Sequence, residues 1–238
     1  MNSKILEKIT SSKYSLQVSL HASNASLHGY LTGIKNGGFE RIIQQVRTLT
    51  AKRKNRLSPY ITFIFVVNTM NIEDLPNFVE LAASLGVDCV QCNYLTIFKQ
   101  SHLKLSCFFK QKITNQMFDI AAQKANELKI PLLLPPRFSE QECFRSICSD
   151  PWKNIYVDTE GAVLPCCYSG EHFGELEKKN ILSVWNNDKF RQLRKDLACG
   201  NPVGMCRYCL NNRQDNINIL NAHVSFRPEV QKAILEQN

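Results

Sequence analysis

YITFIFVV, at Tyr60–Val67, is the stretch that decides the fold of this 238-residue chain. It is a nearly continuous run of apolar, β-branched and aromatic residues, which is typical of a strand buried on both faces in a parallel sheet. Neighbouring parallel strands are joined by crossover connections, usually helices, so strand and helix should alternate on either side of it. The stretch therefore predicts an α/β fold, which the flanking sequence must support.

The segments around Tyr60–Val67 show this alternation. Leu16–His21 alternates apolar and polar residues as a strand does, and Val87–Tyr94 and Pro131–Leu134 are predicted to be two further strands. Three intervening helices are predicted from apolar stripes at helical spacing, namely Phe39, Ile42, Ile43, Val46 and Leu49, then Leu75, Phe78, Val79, Ala82 and Leu85, then Ile113, Met117, Ile120, Ala121 and Leu128. The order β-α-β-α-β-α-β predicts right-handed crossovers and a parallel sheet over residues 1–135.

Beyond residue 135 the predicted elements become short and the cysteines cluster. Ile155–Val157 and Ala162–Leu164 are predicted to form a hairpin in which Gly161 takes a positive φ. Two helices are predicted in this region, at Phe190–Leu197 and Arg227–Gln237. The change of character predicts two domains, residues 1–135 and 136–238.

The composition, 44% hydrophobic and 21% charged, is ordinary for a soluble globular protein. The N-terminus has no apolar run of signal-peptide length, and no segment approaches the roughly 18 apolar residues of a membrane helix. We expect a cytoplasmic protein that binds no membrane, whose ten cysteines are thiols or metal ligands rather than disulfides. The net charge of +8 comes from scattered residues, and its densest run, Lys52–Arg56, follows a predicted helix, where cations complement the helix dipole. We therefore expect no nucleic-acid binding.

Four cysteines of the second region have the spacing Cys148-x17-Cys166-x39-Cys206-x2-Cys209. Four thiolates suit a [4Fe–4S] cluster or a tetrahedral zinc ion. A zinc ribbon normally has two close pairs of cysteines, whereas this stretch has one close pair and two isolated cysteines. The spacing therefore favours iron–sulfur and leaves zinc as the alternative.

The same stretch resembles the SPASM/twitch extension of radical S-adenosylmethionine (SAM) enzymes. The matching positions are Cys148-x12-Gly161-x4-Cys166, the segments Val184–Asn186 and Phe190–Arg194, Pro202, and Cys206-x2-Cys209. In that family the extension holds an auxiliary [4Fe–4S] cluster, so the resemblance implies that its ligands are Cys148, Cys166, Cys206 and Cys209. No further cysteine follows Cys209, which implies a single auxiliary cluster.

The first region resembles the later half of the radical SAM partial (β/α)6 TIM-like barrel. Val18–His21 resembles the fourth barrel strand, whose serine, here Ser19, contacts SAM in many members; an acidic residue is common where His21 stands. Ile34–Phe39 resembles a segment where the family often has an arginine, so Lys35 is a second candidate for cofactor binding. Lysine keeps the charge of arginine but lacks its bidentate fork. The resemblance implies a partial barrel at residues 1–135, followed by a small cysteine-rich α+β SPASM/twitch domain at residues 136–238.

The family's Cys-x3-Cys-x2-Cys loop, whose three thiolates leave one iron free to bind SAM, does not occur in this sequence. Cys89-x2-Cys92 lies on a predicted strand, where its two side chains point to opposite faces and cannot share a metal. We therefore interpret the chain as the C-terminal two-thirds of a radical SAM protein, either truncated or one half of a split enzyme. In the second case a separate chain supplies the first strands to an open sheet edge at Leu16–His21, and SAM binds only when that half is present.

The remaining candidate residues lie on the predicted strands. Gln91 and Asn93 share one face of a strand and are predicted to face substrate, and Ser19 and His21 are predicted to line the SAM cavity. The other thiols, Cys107, Cys143 and Cys199, are predicted to be buried, with Cys143 as the spare ligand closest to Cys148. The histidines His28, His102, His172 and His223 are predicted to lie on the surface. The sequence does not identify the catalytic residues.

Two functions follow from these observations. The resemblance implies an enzyme that cleaves SAM reductively to a 5′-deoxyadenosyl radical, which abstracts hydrogen from a substrate, most commonly a peptide or protein and otherwise a small molecule. The alternative is a non-catalytic module in which the four cysteines hold iron–sulfur or zinc as a scaffold or for partner binding. The metal bound by the four cysteines distinguishes the iron–sulfur hypothesis from a zinc scaffold.

Overall fold

The computed structural model divides into two compact units, residues 1–139 and 140–238. It describes residues 3–11, 15–34, 36–53, 55, 59–138, 148–167, 169–176, 180–204 and 206. Within these ranges no helix combines the length and the apolar character needed to cross a membrane.

The first unit alternates helices and strands. Its helices are α1 (Ser3–Thr10), α2 (Ala25–Thr32), α3 (Gly38–Lys52), α4 (Leu75–Ser84) and α5 (Gln111–Glu127). Its strands are β1 (Ser15–Ser19), β2 (Tyr60–Val67), β3 (Cys89–Tyr94) and β4 (Leu132–Leu133). The strands are parallel and lie in the order β1-β2-β3-β4, which confirms the predicted α/β fold and places β1 at one edge of the described sheet.

The two faces of this sheet differ in chemistry. Its packed face carries the main core, in which Ile61, Phe63, Phe65, Val67 and Val90 are fully buried. The opposite face carries polar side chains. Ser19 pairs with Ile64 and Ile64 pairs with Gln91, so Ser19 and Gln91 lie on the same face of the sheet. The alternation predicted for the edge strand is therefore present as a half-buried apolar side and an exposed polar side.

The prediction for α5 was wrong about which side of the helix is buried. Its buried side chains are Thr114, Phe118, Ala121 and Ala125. Three members of the predicted stripe, Ile113, Ile120 and Leu128, are 38%, 40% and 42% exposed. The buried alanines let α5 approach its neighbour α4 closely, and the bulkier aliphatic residues then fall on the outer side.

A buried ion pair joins the loops that enter β2 and β3. Arg53 donates hydrogen bonds to the Asp88 carboxylate, to the Gly86 carbonyl at 2.7 Å and to the Pro59 carbonyl at 3.2 Å. Asp88 also accepts the Ile61 N–H at 2.8 Å. Both charged side chains are buried, so Arg53 has a structural partner beyond the helix-dipole role predicted for the basic run.

The second unit contains a small antiparallel sheet and short helices. Its strands β5 (Tyr156–Val157), β6 (Ala162–Leu164) and β7 (Gly174–Glu175) lie in the order β5-β6-β7. Its helices are α6 (Asp150–Lys153), α7 (Ile181–Trp185) and α8 (Asp188–Ala198). The β5–β6 hairpin was predicted, and Gly161 takes a φ of 81° in its turn. Helix Arg227–Gln237 of the prediction lies outside the described residues.

Six buried residues form the core of the second unit, namely Val163, Phe173, Val184, Phe190, Leu193 and Leu197. Trp185 packs on this core and carries the Arg194 guanidinium over its ring at 4.3 Å. Arg194 in turn donates from Nε to the Pro151 carbonyl at 2.7 Å, which ties α8 to α6. These contacts fix the segments that carry the cysteines.

Candidate functional site

Three of the four candidate ligands lie on segments attached to the core of the second unit. Cys148 lies two residues before α6, Cys166 follows β6 by two residues, and Cys206 lies in the loop after α8. All three are partly buried, and Cys206 packs against the core itself. Cys209 lies outside the described residues. The ligand set of four therefore remains a prediction.

The described residues contain no group of three or more His, Cys, Asp and Glu side chains arranged around one metal ion. A [4Fe–4S] cluster has a different requirement, because each of its four irons takes its own cysteine and the sulfurs stand apart around the cube. The three partly buried thiols of Cys148, Cys166 and Cys206 are the donor type that an iron–sulfur cluster takes.

The surroundings of Cys166 include a phenol. Tyr156 on β5 pairs with Leu164 on β6, two residues before Cys166. Burial raises the pKa of Tyr156 to about 12, and the neighbouring Cys167, Asp150 and Cys166 act in the same direction. The Tyr156 hydroxyl is hydrogen-bonded to the side chain of Cys167, the residue next to the candidate ligand Cys166.

A pocket of about 520 Å³ opens beside Cys206. Apolar side chains line part of it, and three carboxylates, Glu171, Asp188 and Asp196, lie along it with Lys189. Glu171 lies so close to Gly204 that a Cβ on this glycine would stand 2.8 Å from Oε1. Because Gly204 also has a φ of 51°, the loop that carries Cys206 requires glycine there.

The polar face of the first unit's sheet holds three of the remaining candidates. Ser19 on β1 is exposed, Gln91 on β3 is half-buried, and Asn93 on β3 is exposed. Gln91 Nε2 donates to Asn93 Oδ1 at 3.5 Å. The structure thus brings Ser19, Gln91 and Asn93 to one face, and their binding roles remain predictions. Lys35 lies outside the described residues.

Two histidines end the β1–β2 ladder at the carboxyl edge of the sheet. Val66 N–H donates to His21 Nδ1 at 3.1 Å, and His28 Nδ1 lies 2.9 Å from the Leu20 carbonyl oxygen. His28 is 2% exposed, so its predicted surface position was wrong. His21 has a φ of 63°, the left-handed region that non-glycine residues rarely adopt.

A buried asparagine holds this edge together. Asn71 is fully buried and donates from Nδ2 to the carbonyls of His21, at 3.1 Å, and Val66, at 2.9 Å. Its Oδ1 accepts the Asn68 N–H at 2.8 Å. Sequence reasoning missed Asn71 and His28, although the lone polar residues that border strong strands were a signal of such capping.

The first unit is expected to lose stability as the pH falls from about 7.5 to 5.5, through its His21 ring. Burial lowers the pKa of His21 from 6.5, and nearby His28 acts in the same direction, while a smaller hydrogen-bond effect of the Ile64 backbone opposes them. The unfolded chain then binds the proton more readily than the folded chain. The contribution of His21 to the free energy of unfolding is therefore present above pH 6.5 and is lost as the pH drops through 6.5 toward the lowered pKa of the folded chain. Urea midpoints of wild type and His21→Asn, measured across this range, should converge at low pH; parallel curves contradict the role of His21.

The remaining thiols follow the predictions except at one position. Register places Cys89 and Cys92 on opposite faces of β3, and burial raises the pKa of Cys92 to about 12 and of Cys107 to about 11. These three thiols are buried. Cys199 is exposed, because it caps the C-terminal end of α8 beyond the buried face, so its predicted burial was wrong. Cys143 lies outside the described residues.

The two tryptophans of the second unit differ in their packing. Trp152 is 42% exposed. It lies on the four-residue helix α6, whose buried position is Pro151. Only Trp185 of the pair packs on the core.

Residues 148–210 match the family model of the SPASM domain, described as an iron–sulfur cluster-binding domain. The match begins at Cys148 and includes Cys166, Cys206 and Cys209. A parallel α/β sheet followed by such a domain defines the class of protein: an α/β protein that carries a SPASM iron–sulfur domain.

Two known proteins resemble this chain over more than four-fifths of its length. The AdoMet-dependent heme synthase of Methanosarcina barkeri (strain Fusaro / DSM 804) is 24% identical over 236 residues, covering 86% of this chain and 63% of that protein. The crystal structure of Streptococcus suis SuiB has a TM-score of 0.60 at 14% identity and covers 82% of this chain and 49% of SuiB. Together with the SPASM match, these similarities support a radical SAM/SPASM protein, and the chain spans about half to two-thirds of the length of these relatives.

Two further SuiB structures have the same fold. SuiB bound to S-adenosylmethionine has a TM-score of 0.56 at 15% identity, covering 82% of this chain and 47% of SuiB. SuiB bound to the precursor peptide SuiA has a TM-score of 0.54 at 12% identity, covering 80% and 46%. At these identities the likeness establishes the fold of this chain.

Proposed function

We propose that this chain holds one auxiliary [4Fe–4S] cluster through Cys148, Cys166, Cys206 and Cys209. The observation that carries the proposal is the SPASM match over residues 148–210, together with three partly buried cysteines within it, of which Cys206 packs against the core of the second unit. The cluster would supply one-electron redox chemistry or an iron to which substrate binds.

The residues around the candidate ligands fit such a cluster. Hydrogen bonds to cluster sulfurs, and the degree of solvent access, tune the reduction potential of an iron–sulfur centre. Tyr156 is hydrogen-bonded to Cys167 and lies near Cys166, and the pocket at Cys206 gives solvent or a ligand access to that side. In this proposal Tyr156 is a hydrogen-bond donor to the cluster environment.

The parent reaction is proposed to be hydrogen abstraction from a peptide or protein, started by reductive cleavage of SAM. Ser19 and Lys35 would bind SAM, and Gln91 and Asn93 would face the substrate. The support is that Ser19, Gln91 and Asn93 share the polar face of the sheet, and that SuiB, which has the same fold, binds a precursor peptide. A companion chain with the first barrel strands would pair with β1, which lies at the edge of the described sheet. We expect the protein to act in the cytoplasm.

Anaerobic reconstitution of the full chain is expected to give about four iron and four sulfide per chain, with absorption near 400 nm typical of a thiolate-bound cluster. Iron and acid-labile sulfide assays check the stoichiometry. One zinc and no sulfide would instead establish the alternative function, a zinc scaffold, and contradict the cluster.

A further inference from the structure

Arg194 on α8 has a buried nitrogen that bonds to nothing in the described part of the chain. Its Nε donates to the Pro151 carbonyl at 2.7 Å, whereas its Nη2 is buried and has no hydrogen-bond partner. A guanidinium nitrogen can only donate, so this position requires an acceptor. A buried donor without an acceptor costs free energy, and folded proteins rarely leave one unmatched.

The positive charge of this guanidinium is also unmatched. Burial lowers the pKa of Arg194, and no acidic group among the described residues opposes that effect. Helix α6, which packs against α8, carries Asp150, but the Asp150 carboxylate accepts from Asn154 Nδ2 at 2.9 Å instead. An anionic acceptor would satisfy the open donor and the charge together.

Two aromatic rings hold the guanidinium in one place. Its Cζ lies 4.3 Å from the centroid of the Trp185 ring and 5.1 Å from that of Phe190. Phe190 belongs to the buried core of the second unit, and Trp185 packs against that core. Stacking on these rings and the bond to Pro151 restrict the rotation of the planar group. Nη2 is therefore a donor with a fixed position before any acceptor binds.

Helix α8 contacts the surroundings of two proposed cluster ligands. Leu193 lines the same pocket as Cys206. The next residue, Arg194, bonds to α6, which begins two residues after Cys148. The open donor thus belongs to the residue that ties α8 to the segment following Cys148.

We propose that Arg194 Nη2 donates a hydrogen bond to a sulfur of the auxiliary [4Fe–4S] cluster and thereby raises its reduction potential. The inference rests on the proposed function for the existence of the cluster. A cluster held by four thiolates is anionic, so its sulfurs offer both the acceptor and the negative charge that this guanidinium lacks. A donor to the sulfurs raises the potential, because reduction adds negative charge that the hydrogen bond stabilises.

The contact is tested first in the wild-type chain. The full chain is produced with arginine that carries ¹⁵N in its guanidinium group, reconstituted, and reduced with dithionite, and pulsed EPR then records ¹⁵N couplings to the paramagnetic cluster. We expect a coupling that is lost in Arg194→Lys and retained in Arg191→Lys. Arg191 is the matched control, because it is exposed and lies on the same helix. A wild-type spectrum without this coupling, or a coupling that persists in Arg194→Lys, overturns the proposal.

The effect on the cluster is tested by redox titration followed by EPR. Arg194→Met loses the donor and the charge, so the reduced-to-oxidised ratio at a fixed potential should fall about tenfold, a shift of about 59 mV toward negative potential. Arg191→Met loses an equal charge that solvent screens, so its shift should be much smaller. A merely structural Arg194 would lower the thermal midpoint of the metal-free variant and leave the potential unchanged. Equal potentials in the two methionine variants contradict the proposal.

The iron assay separates a failure of this inference from a failure of the proposed function. A chain that binds about four iron, but whose spectrum and potential do not depend on Arg194, refutes the hydrogen bond and leaves the cluster standing. A chain that binds one zinc and no sulfide refutes both. If an Arg194 variant does not fold, the ¹⁵N spectrum of the wild type still decides whether a guanidinium nitrogen contacts the cluster.

Discussion

Cys206→Ala is expected to lower the iron content of the reconstituted chain from about four per chain to below about one. Cys206 packs against the core of the second unit and lies on the wall of the pocket there. As one of four proposed ligands it would close the cluster, and its loss leaves one iron open to solvent, where oxidation and loss of iron begin during gel filtration. Iron, sulfide and visible absorbance, measured after gel filtration, check this result.

Two cysteines provide matched controls for this substitution. Cys199 precedes Cys206 on the same segment but is exposed, and Cys92 is a buried thiol of the first unit whose pKa is raised to about 12 by burial. Neither is a proposed ligand, so Cys199→Ala and Cys92→Ala should keep about four iron. Cys206→Ser keeps the size of the side chain and separates ligand loss from lost packing, since it should lose iron while the thermal midpoint of the metal-free chain stays within about 2 °C. Equal iron retention in Cys206→Ala and Cys199→Ala would refute the ligand assignment.

Much of the first unit was predictable because its strands and helices are strongly patterned. The run Tyr60–Val67 is a strand over the predicted residues, and the stripes of α3 and α4 are buried as expected. The prediction was wrong for α5, whose sequence offers more than one apolar side. The side with the two alanines is buried, because it packs against α4. Short elements such as α6 and β7 carry too few residues for any periodicity to be detected.

The candidate site residues also differ in how well the sequence predicted them. Cysteine spacing is a property of the sequence, so the four proposed ligands were found without coordinates. The hydrogen bond from Val66 N–H to His21 Nδ1 joins residues that are 45 positions apart in the sequence. It forms because the left-handed backbone of His21 places the ring where a backbone carbonyl would otherwise accept. No local sequence pattern encodes this replacement of a backbone acceptor by a ring nitrogen. The buried position of His28 was therefore not predicted.

Arg53→Met is expected to lower the free energy of unfolding of the first unit by about 3–5 kcal/mol, the usual effect of removing one partner of a buried ion pair. Arg53 and Asp88 have side-chain exposures of 8% and 2%. Methionine fills much of the arginine's volume but gives no donor to Asp88 or to the carbonyls of Gly86 and Pro59. The carboxylate then remains desolvated beside the start of β2. Urea unfolding and hydrogen exchange of the Ile61 amide, which donates to Asp88, measure the loss.

The neighbouring residue offers the control for charge alone. Lys52 is the last residue of α3 and is exposed, so Lys52→Met removes the same charge from the same basic run and should change stability by no more than about 0.5 kcal/mol. Adding Asp88→Asn to Arg53→Met should recover part of the loss, because the amide oxygen still accepts the Ile61 N–H while the buried charge is gone. If Arg53→Met and Lys52→Met destabilise the protein equally, the basic run acts only through the helix dipole. If the double variant is no more stable than Arg53→Met, the loss comes from the missing hydrogen bonds to Gly86 and Pro59 rather than from the buried charge of Asp88.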